Sequence, residues 1–311
     1  MKMFSPAATQ STPLTFHALA ERADLLHPVW LKIAFAFILV GYGTKMGLAP
    51  MHTWLPDAYS ESPSPISALL SGTLVNCAFL GILRTNTIML QAGVGEYSGG
   101  LLLTFGLLSL FMSGWFILQQ GDFKRLLGYS SVEHMGILAM AVGAGGGFGV
   151  LFHSLNHSLT KGLLFLVAGN ILSLYRTKST KSVTGILRVS PVTGLLWLAG
   201  FCAISGLPPF GIFVSKFSIM LAIGSQARWG ILGLFLLALS IIFDDMWRIV
   251  IHMTFGAPPE SHSFVETRIR PGIQDIAPII LCSLALLLGL WLPRPLARLI
   301  ERAAVIMIGG A

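Results

Sequence analysis

The chain has 311 residues, of which 54% are hydrophobic and 11% charged, with a formal net charge of +7 and a mean hydropathy of +0.77. Soluble domains carry about 25% charged residues, so a soluble globular fold is excluded, as is disorder, which needs low hydrophobicity and high net charge. Apolar runs of the length that crosses a bilayer, roughly 20 residues each, recur from Val29 to Ile300, and no basic run or aromatic-basic stripe points to nucleic acid.

Residues 1–28 are mixed and polar and lack the cationic start, apolar stretch and cleavage site of a signal peptide. They read as an extramembrane segment, followed by a transmembrane domain over 29–311. The first span, near 29–51, ends in Gly41-Tyr-Gly-Thr-Lys-Met-Gly-Leu-Ala-Pro50. Glycine and proline there imply an unwound stretch, and unwound backbone at membrane depth is tolerated only against protein or water. Lys45 sits in that stretch as a candidate functional cation, with snorkelling to the interface as the alternative. Asp57 and Glu61 fall in the Pro-rich loop after this span, where solvation is the default.

Spans two and three lie near 65–88 and 98–119. The fourth, 126–148, carries Glu133 and His134 near its start. They are either members of an intramembrane polar group or an interface pair beside Lys124 and Arg125. The fifth, 150–175, holds His153-x3-His157-x3-Lys161. Steps of four advance the helical azimuth by about 40°, so the three share one face, spread over roughly 12 Å of depth. Histidine changes charge near neutral pH, and lysine in general sheds its proton more readily when desolvated. Such a column could pass a proton along the membrane, or could be a polar stripe that hydrogen-bonds its neighbours. A metal site is disfavoured because no carboxylate or cysteine accompanies the histidines.

The segment 189–224 is too long for a simple crossing and contains Gly206, Pro208, Pro209 and Gly211. Proline removes a backbone hydrogen bond and clashes with the previous turn, so a broken helix is predicted. Lys216 follows the break about ten residues from the polar end, roughly 15 Å, too far for simple snorkelling. The seventh span, 228–256, has Asp244 and Asp245, and an Asp245–Arg248 pair at i, i+3 would neutralise both. The eighth runs over 273–300. Cys77, Cys202 and Cys282 lie far apart inside apolar runs and read as packing residues.

Lys and Arg in short loops mark the cytoplasmic side. Lys124, Arg125, Arg176, Lys178, Lys181, Arg188, Arg268 and Arg270 follow odd-numbered spans, against Arg84 and Arg228 after even ones. Both termini are therefore expected outside, although Arg294, Arg298 and Arg302 crowd that side.

Five strings together resemble one family: Gly43-Thr-Lys-Met-Gly-Leu-Ala-Pro-Met-His-Thr-Trp-Leu-Pro-Asp-Ala58, Ser62-Pro-Ser-Pro-Ile-Ser-Ala-Leu-Leu70, Asp122-Phe-Lys-Arg-Leu-Leu-Gly-Tyr-Ser-Ser131, the His153–Lys161 column, and Gly206-Leu-Pro-Pro-Phe-Gly-Ile-Phe-Val-Ser-Lys-Phe217. They are similar to the antiporter-like, proton-translocating membrane subunits of respiratory complex I, group 4 hydrogenases and multisubunit cation/proton antiporters. The resemblance runs over about 29–256. Ser131-Val-Glu-His-Met-Gly136 and Asn76-Cys77 look most like component F of hydrogenase-4-type complexes.

The resemblance implies an all-α integral membrane fold of about eight helices, two of them broken, corresponding to the C-terminal part of a fourteen-helix inverted-repeat fold. It implies relay roles for Lys45, His153, His157, Lys161 and Lys216, with Glu133, His134, Asp244 and Asp245 as possible support. The family's first repeat, with its glutamate, would be missing, so the chain is expected to be N-terminally truncated or half of a split subunit. Asn76 stands where several complex I subunits place a lysine. The expected function is proton translocation in the bacterial inner membrane, driven by electron transfer in partner subunits. No catalytic residue, cofactor or metal is expected in this chain, because haem, cysteine-cluster and Rossmann motifs are absent from it. The alternatives are a cation/proton antiporter subunit and a non-pumping fragment.

Overall fold

The computed structural model describes residues 15–118, 120–258 and 272–307. Among them the only β feature is an isolated antiparallel bridge between Asp122 and Ser179; the rest of the regular structure is helical.

The chain begins with α1 (Phe16–Glu21), capped by the Thr15 hydroxyl, and a 3-10 turn over Ala23–Leu25. Arg84 lies over the Phe16 ring at 5.7 Å and holds this segment to the bundle. The first predicted span is α2 (Pro28–Met46), which ends on Gly47 in the left-handed region at φ 85°. The amide of Leu48 closes back on the Gly43 carbonyl at 2.8 Å, a glycine-terminated helix end. The span does not stop at 51 as expected. It restarts as α3 (Trp54–Glu61), and Trp54 Nε1 donates to the Thr44 carbonyl at 2.7 Å across the break. Asp57 and Glu61 are thus helical, though still exposed, and pair with Arg125 at 2.9 Å and Lys178 at 2.8 Å.

Next comes α4 (Ser64–Leu69), a π-helical turn at Leu70–Leu74, and α5 (Val75–Gln91) as one continuous rod. It is followed by α6 (Gly95–Ile117), α7 (Phe123–Gly143) and α8 (Phe148–Tyr175). Asp122 caps α7 by accepting from the amides of Lys124 at 2.7 Å and Arg125 at 3.1 Å, as an N-cap aspartate does. Small residues let α6 and α7 approach closely: a Cβ on Gly136 would stand 2.8 Å from the Ser109 Cβ. Such small-residue seams are how membrane helices gain packing without a hydrophobic drive.

The short α9 (Ile186–Val189) leads into the second broken helix, α10 (Pro191–Ser205) and α11 (Gly211–Ser225), with Gly206 at φ 83° closing the first half. Then come α12 (Trp229–Phe255) and α13 (Ile273–Leu290). The predicted single span 273–300 is not observed. Past Leu290 the chain unwinds and Pro295 opens a separate helix, α14 (Arg294–Met307). This helix packs Ile300 against Phe152 and Leu288 at the α8 N-terminus. Its arginines at 294, 298 and 302 belong to an amphipathic element rather than to a crossing. Arg268 and Arg270 lie outside the described residues.

Among the described residues, five helical segments are long and apolar enough to cross a membrane, and α10 and α11 are shorter apolar helices. α7 and α12 carry three charged side chains each and fall outside that group for this reason, yet they are helices of 21 and 27 residues. Large apolar side chains such as Phe37, Leu69, Trp115, Leu195 and Leu237 are exposed on the outside, as lipid-facing residues must be. A subset of the ionisable groups, on α7, α8 and α11, is buried in the interior.

Candidate functional site

Three helices build the interior site. α8 presents His153, His157 and Lys161 on one face, α7 presents Ser130, Glu133 and His134, and α11 presents Ser215 and Lys216. All eight side chains are buried. The azimuthal argument for the α8 column therefore holds in three dimensions. Glu133 and His134 are not interface groups: α7 starts at Phe123, so they lie near its middle, and the α7 face that carries them meets the column.

The geometry reads as a directed series. Lys161 Nζ donates to the Leu127 carbonyl at 2.8 Å and to the Ser130 hydroxyl. The His157 ring packs on His134 with centroids 5.3 Å apart. His134 Nδ1 and His153 Nε2 share a hydrogen bond of 2.8 Å, and their rings stack at 5.0 Å. His153 Nδ1 is 2.9 Å from Ser215 Oγ, whose own hydroxyl donates to the Ile212 carbonyl at 2.9 Å.

That last bond fixes the tautomers of the neutral rings. A hydroxyl committed to a carbonyl can only accept from His153, so His153 carries its proton on Nδ1 and accepts at Nε2. His134 must then donate from Nδ1, which leaves its Nε2 a bare acceptor. His134 Nε2 is indeed buried without a partner, as are both ring nitrogens of His157. A proton arriving from the His157 side can be taken at His134 Nε2. It can leave through Nδ1 to His153 and then towards Ser215.

Beside this series lies an ion pair. Lys216 Nζ is 3.3 Å from Glu133 Oε1 and 3.3 Å from the Ser205 carbonyl at the helix break. Both side chains are under a tenth exposed. Gly206 makes room for the lysine: a Cβ there would stand 3.0 Å from Lys216 Cδ. At the same break a Cβ on Gly211 would collide with the Asn156 side chain of α8.

The remaining sequence candidates do not join. Lys45 is exposed on the outer side of α2. Asp244 faces outward on α12 and binds Arg248 at 2.6 Å, at i, i+4. The pair expected for Arg248 was Asp245 at i, i+3; both spacings bring side chains together on a helix, and Arg248 takes Asp244 instead. Asp245 is half-buried, with Oδ2 unpartnered.

Sequence reasoning missed Ser130 and Ser215, which carry no ionisable group, and His52. His52 is buried in the first break between Phe116 and Tyr129, with neither ring nitrogen bonded. Ser130 stands four residues before His134, a spacing that could have revealed it. No group of three or more His, Cys, Asp or Glu with metal-binding geometry occurs among the described residues.

Residues 8–242 match the family described as NADH:quinone oxidoreductase/Mrp antiporter, transmembrane. The chain belongs to that family. It is 42% identical over 205 residues to the hydrogenase-4 component F homolog of Methylacidiphilum infernorum, covering 65% of this chain and 43% of that protein. To hydrogenase-4 component B of Escherichia coli it is 33% identical over 293 residues, covering 85% of this chain and 43% of that protein. This chain thus spans less than half the length of these curated relatives. Its fold matches a chain of the membrane-bound sulfane sulfur reductase, an archaeal respiratory membrane complex, with a TM-score of 0.82 at 24% identity over 94% of this chain and 59% of that one. This family member is accordingly a multi-pass membrane protein.

Proposed function

We propose that this family member is a proton-translocating part of a redox-driven complex of the bacterial inner membrane, and that Lys161, His157, His134, His153 and Ser215 form its relay, with Lys216 and Glu133 at its far end. The observation that carries the reading is the single donor direction of the buried chain from His134 Nε2 to the Ser215 hydroxyl. An isolated polar stripe has no need to leave a bare acceptor facing a second unbonded imidazole. Ionisable groups at membrane depth cost several kcal/mol and mark pathways, and here six ionisable side chains share one buried site. Electron transfer would take place in partner subunits, which would also hold the redox centres. Their conformational change would alter the charges at Lys161 and Lys216. Lys45, on the outer face, would act only against a group contributed from beyond the described residues.

The antiporter reading differs in the transported ion. A sodium site needs several oxygen ligands, whereas the buried group supplies one carboxylate, Glu133, already engaged by Lys216. That favours protons. The test is made in membrane vesicles that contain the assembled complex, with proton uptake followed by a pH-sensitive dye alongside the rate of electron transfer. His157→Ala and Lys161→Ala should lower proton movement per electron while assembly and electron transfer persist. Wild-type stoichiometry in both variants would make the column structural.

A further inference from the structure

A second set of buried polar groups approaches Lys161 from the end opposite the histidines and takes no part in the relay. Tyr59 lies on α3, Ser71 in the π-helical turn and Ser131 on α7, and all three are buried. Ser71 Oγ is 2.9 Å from Ser131 Oγ. Ser131 Oγ donates to the Leu127 carbonyl at 3.2 Å, the same oxygen that Lys161 Nζ reaches at 2.8 Å. With its proton committed to Leu127, Ser131 must accept from Ser71, and Ser71 is then free to accept in its turn. Tyr59 Oη lies beside Ser71 and is buried without a hydrogen-bond partner. Its ring stands edge-on against Phe165, centroids 5.5 Å apart, which fixes where the hydroxyl points.

Next to Tyr59 along α3 the protein surface is charged. The residue after Tyr59, Ser60, donates to Asp122 Oδ2 at 2.6 Å, and Lys178 Nζ reaches Ser60 Oγ at 3.1 Å and the exposed Glu61 at 2.8 Å. The π turn inserts one residue into the α4–α5 rod, which rotates the downstream residues by about 100°. On this rod Ser71 meets Ser131 of α7 and Asn76 meets α8. Asn76 belongs to a separate network. Its Nδ2 donates to Ser158 Oγ at 2.6 Å, its Oδ1 accepts from Ser154 at 2.9 Å, and Ser158 donates to the Gly72 carbonyl at 2.6 Å. That network is neutral, satisfied and not bonded to Lys161.

We propose that the hydroxyls of Tyr59, Ser71 and Ser131 are the uptake route by which a proton from the Glu61–Asp122–Lys178 surface, handed to the Tyr59 phenol by water, reaches Lys161. The inference rests on the relay reading of Lys161. Each oxygen accepts a proton from the hydroxyl before it as it gives up its own. One water between Ser131 and Lys161, which share the Leu127 carbonyl, completes the last transfer. Lys161, entering as the free amine, leaves as the ammonium with the one proton that the aqueous side has lost. The hydroxyls then rotate back. No ionisable side chain other than the Tyr59 phenol is used between the surface and Lys161.

The test compares variants of the assembled complex in its membrane vesicles. Tyr59→Phe keeps the ring and removes only the hydroxyl. It should slow proton translocation about tenfold or more at unchanged electron transfer and assembly, because a positioned proton-transfer group contributes roughly 10²–10⁴-fold. Ser71→Ala/Ser131→Ala should do the same. Ser158→Ala, in the neighbouring closed network, should leave the translocation rate at the wild-type value. Lys161→Met serves as the control for the underlying reading. If Lys161→Met abolishes translocation while Tyr59→Phe and the double alanine variant translocate normally, the uptake route is wrong and the relay stands. If Lys161→Met itself translocates normally, the relay reading and the route both fall. Equal loss in Ser158→Ala would also overturn the route, since the effect would then be one of packing.

Discussion

Replacing Lys216 by methionine separates the charge pairing of this site from its chemistry. The substitution strands Glu133, whose side chain is 4% exposed and whose only cation within 4 Å among the described residues is Lys216. Removing one partner of a buried ion pair typically costs about 3–5 kcal/mol, and a loss of that size is expected here. Lys216→Met/Glu133→Leu has no stranded charge and should recover to within about 1 kcal/mol of the wild type, giving a coupling of at least about 2 kcal/mol. Equilibrium unfolding of the purified chain from lipid bicelles, titrated with a denaturing detergent at pH 7, reads both values. Neither variant should translocate protons. Lys216→Arg keeps the pair and the fold but cannot release its proton, so translocation should be near zero, with Lys216→His intermediate. Wild-type stability of Lys216→Met at pH 7 would refute the pairing, and full translocation by Lys216→Arg would refute proton exchange at this position.

Three further outcomes are expected. Gly206→Ala should cost about 1–2 kcal/mol for a left-handed alanine and displace Lys216, whose Cδ lies 3.0 Å from the new methyl; the same unfolding titration should show the loss and vesicle assays a lower translocation rate. Gly289→Ala would drive a methyl into the Pro209 carbonyl and the Phe210 backbone, and overpacking of about 1–3 kcal/mol should lower the thermal midpoint of the detergent-solubilised chain, whereas Gly41→Ala, with nothing within 4 Å, should leave it unchanged. Glu61→Cys and Ser179→Cys should react with an impermeant thiol reagent only from the cytoplasmic side, since both lie at the cation-rich end with Lys178. Ser60 is a poorer site for that label because its side chain is buried against Asp122.

The fold class was legible in the amino-acid sequence because a bilayer imposes one strong rule, that about 20 apolar residues must form a helix. The second helix break followed from Gly206, Pro208, Pro209 and Gly211 for an equally local reason, the loss of backbone donors. So did the shared face of His153, His157 and Lys161, because helical azimuth is fixed by spacing alone. Azimuth does not say which neighbour a face meets. Only the packing of α7 on α8 turned Glu133 and His134 inward to Lys216 and His153, and the same kind of choice left Lys45 and Asp244 facing out. The restart of the first span at Trp54 and the separation of α14 from α13 were also invisible to hydropathy, which averages over a window and registers no change of direction. Ser71, Ser131 and Tyr59 were silent in the sequence, since a hydroxyl costs little wherever it lies along a helix. What gives those three groups meaning is their contact across three segments, a property of the tertiary structure that no single segment encodes.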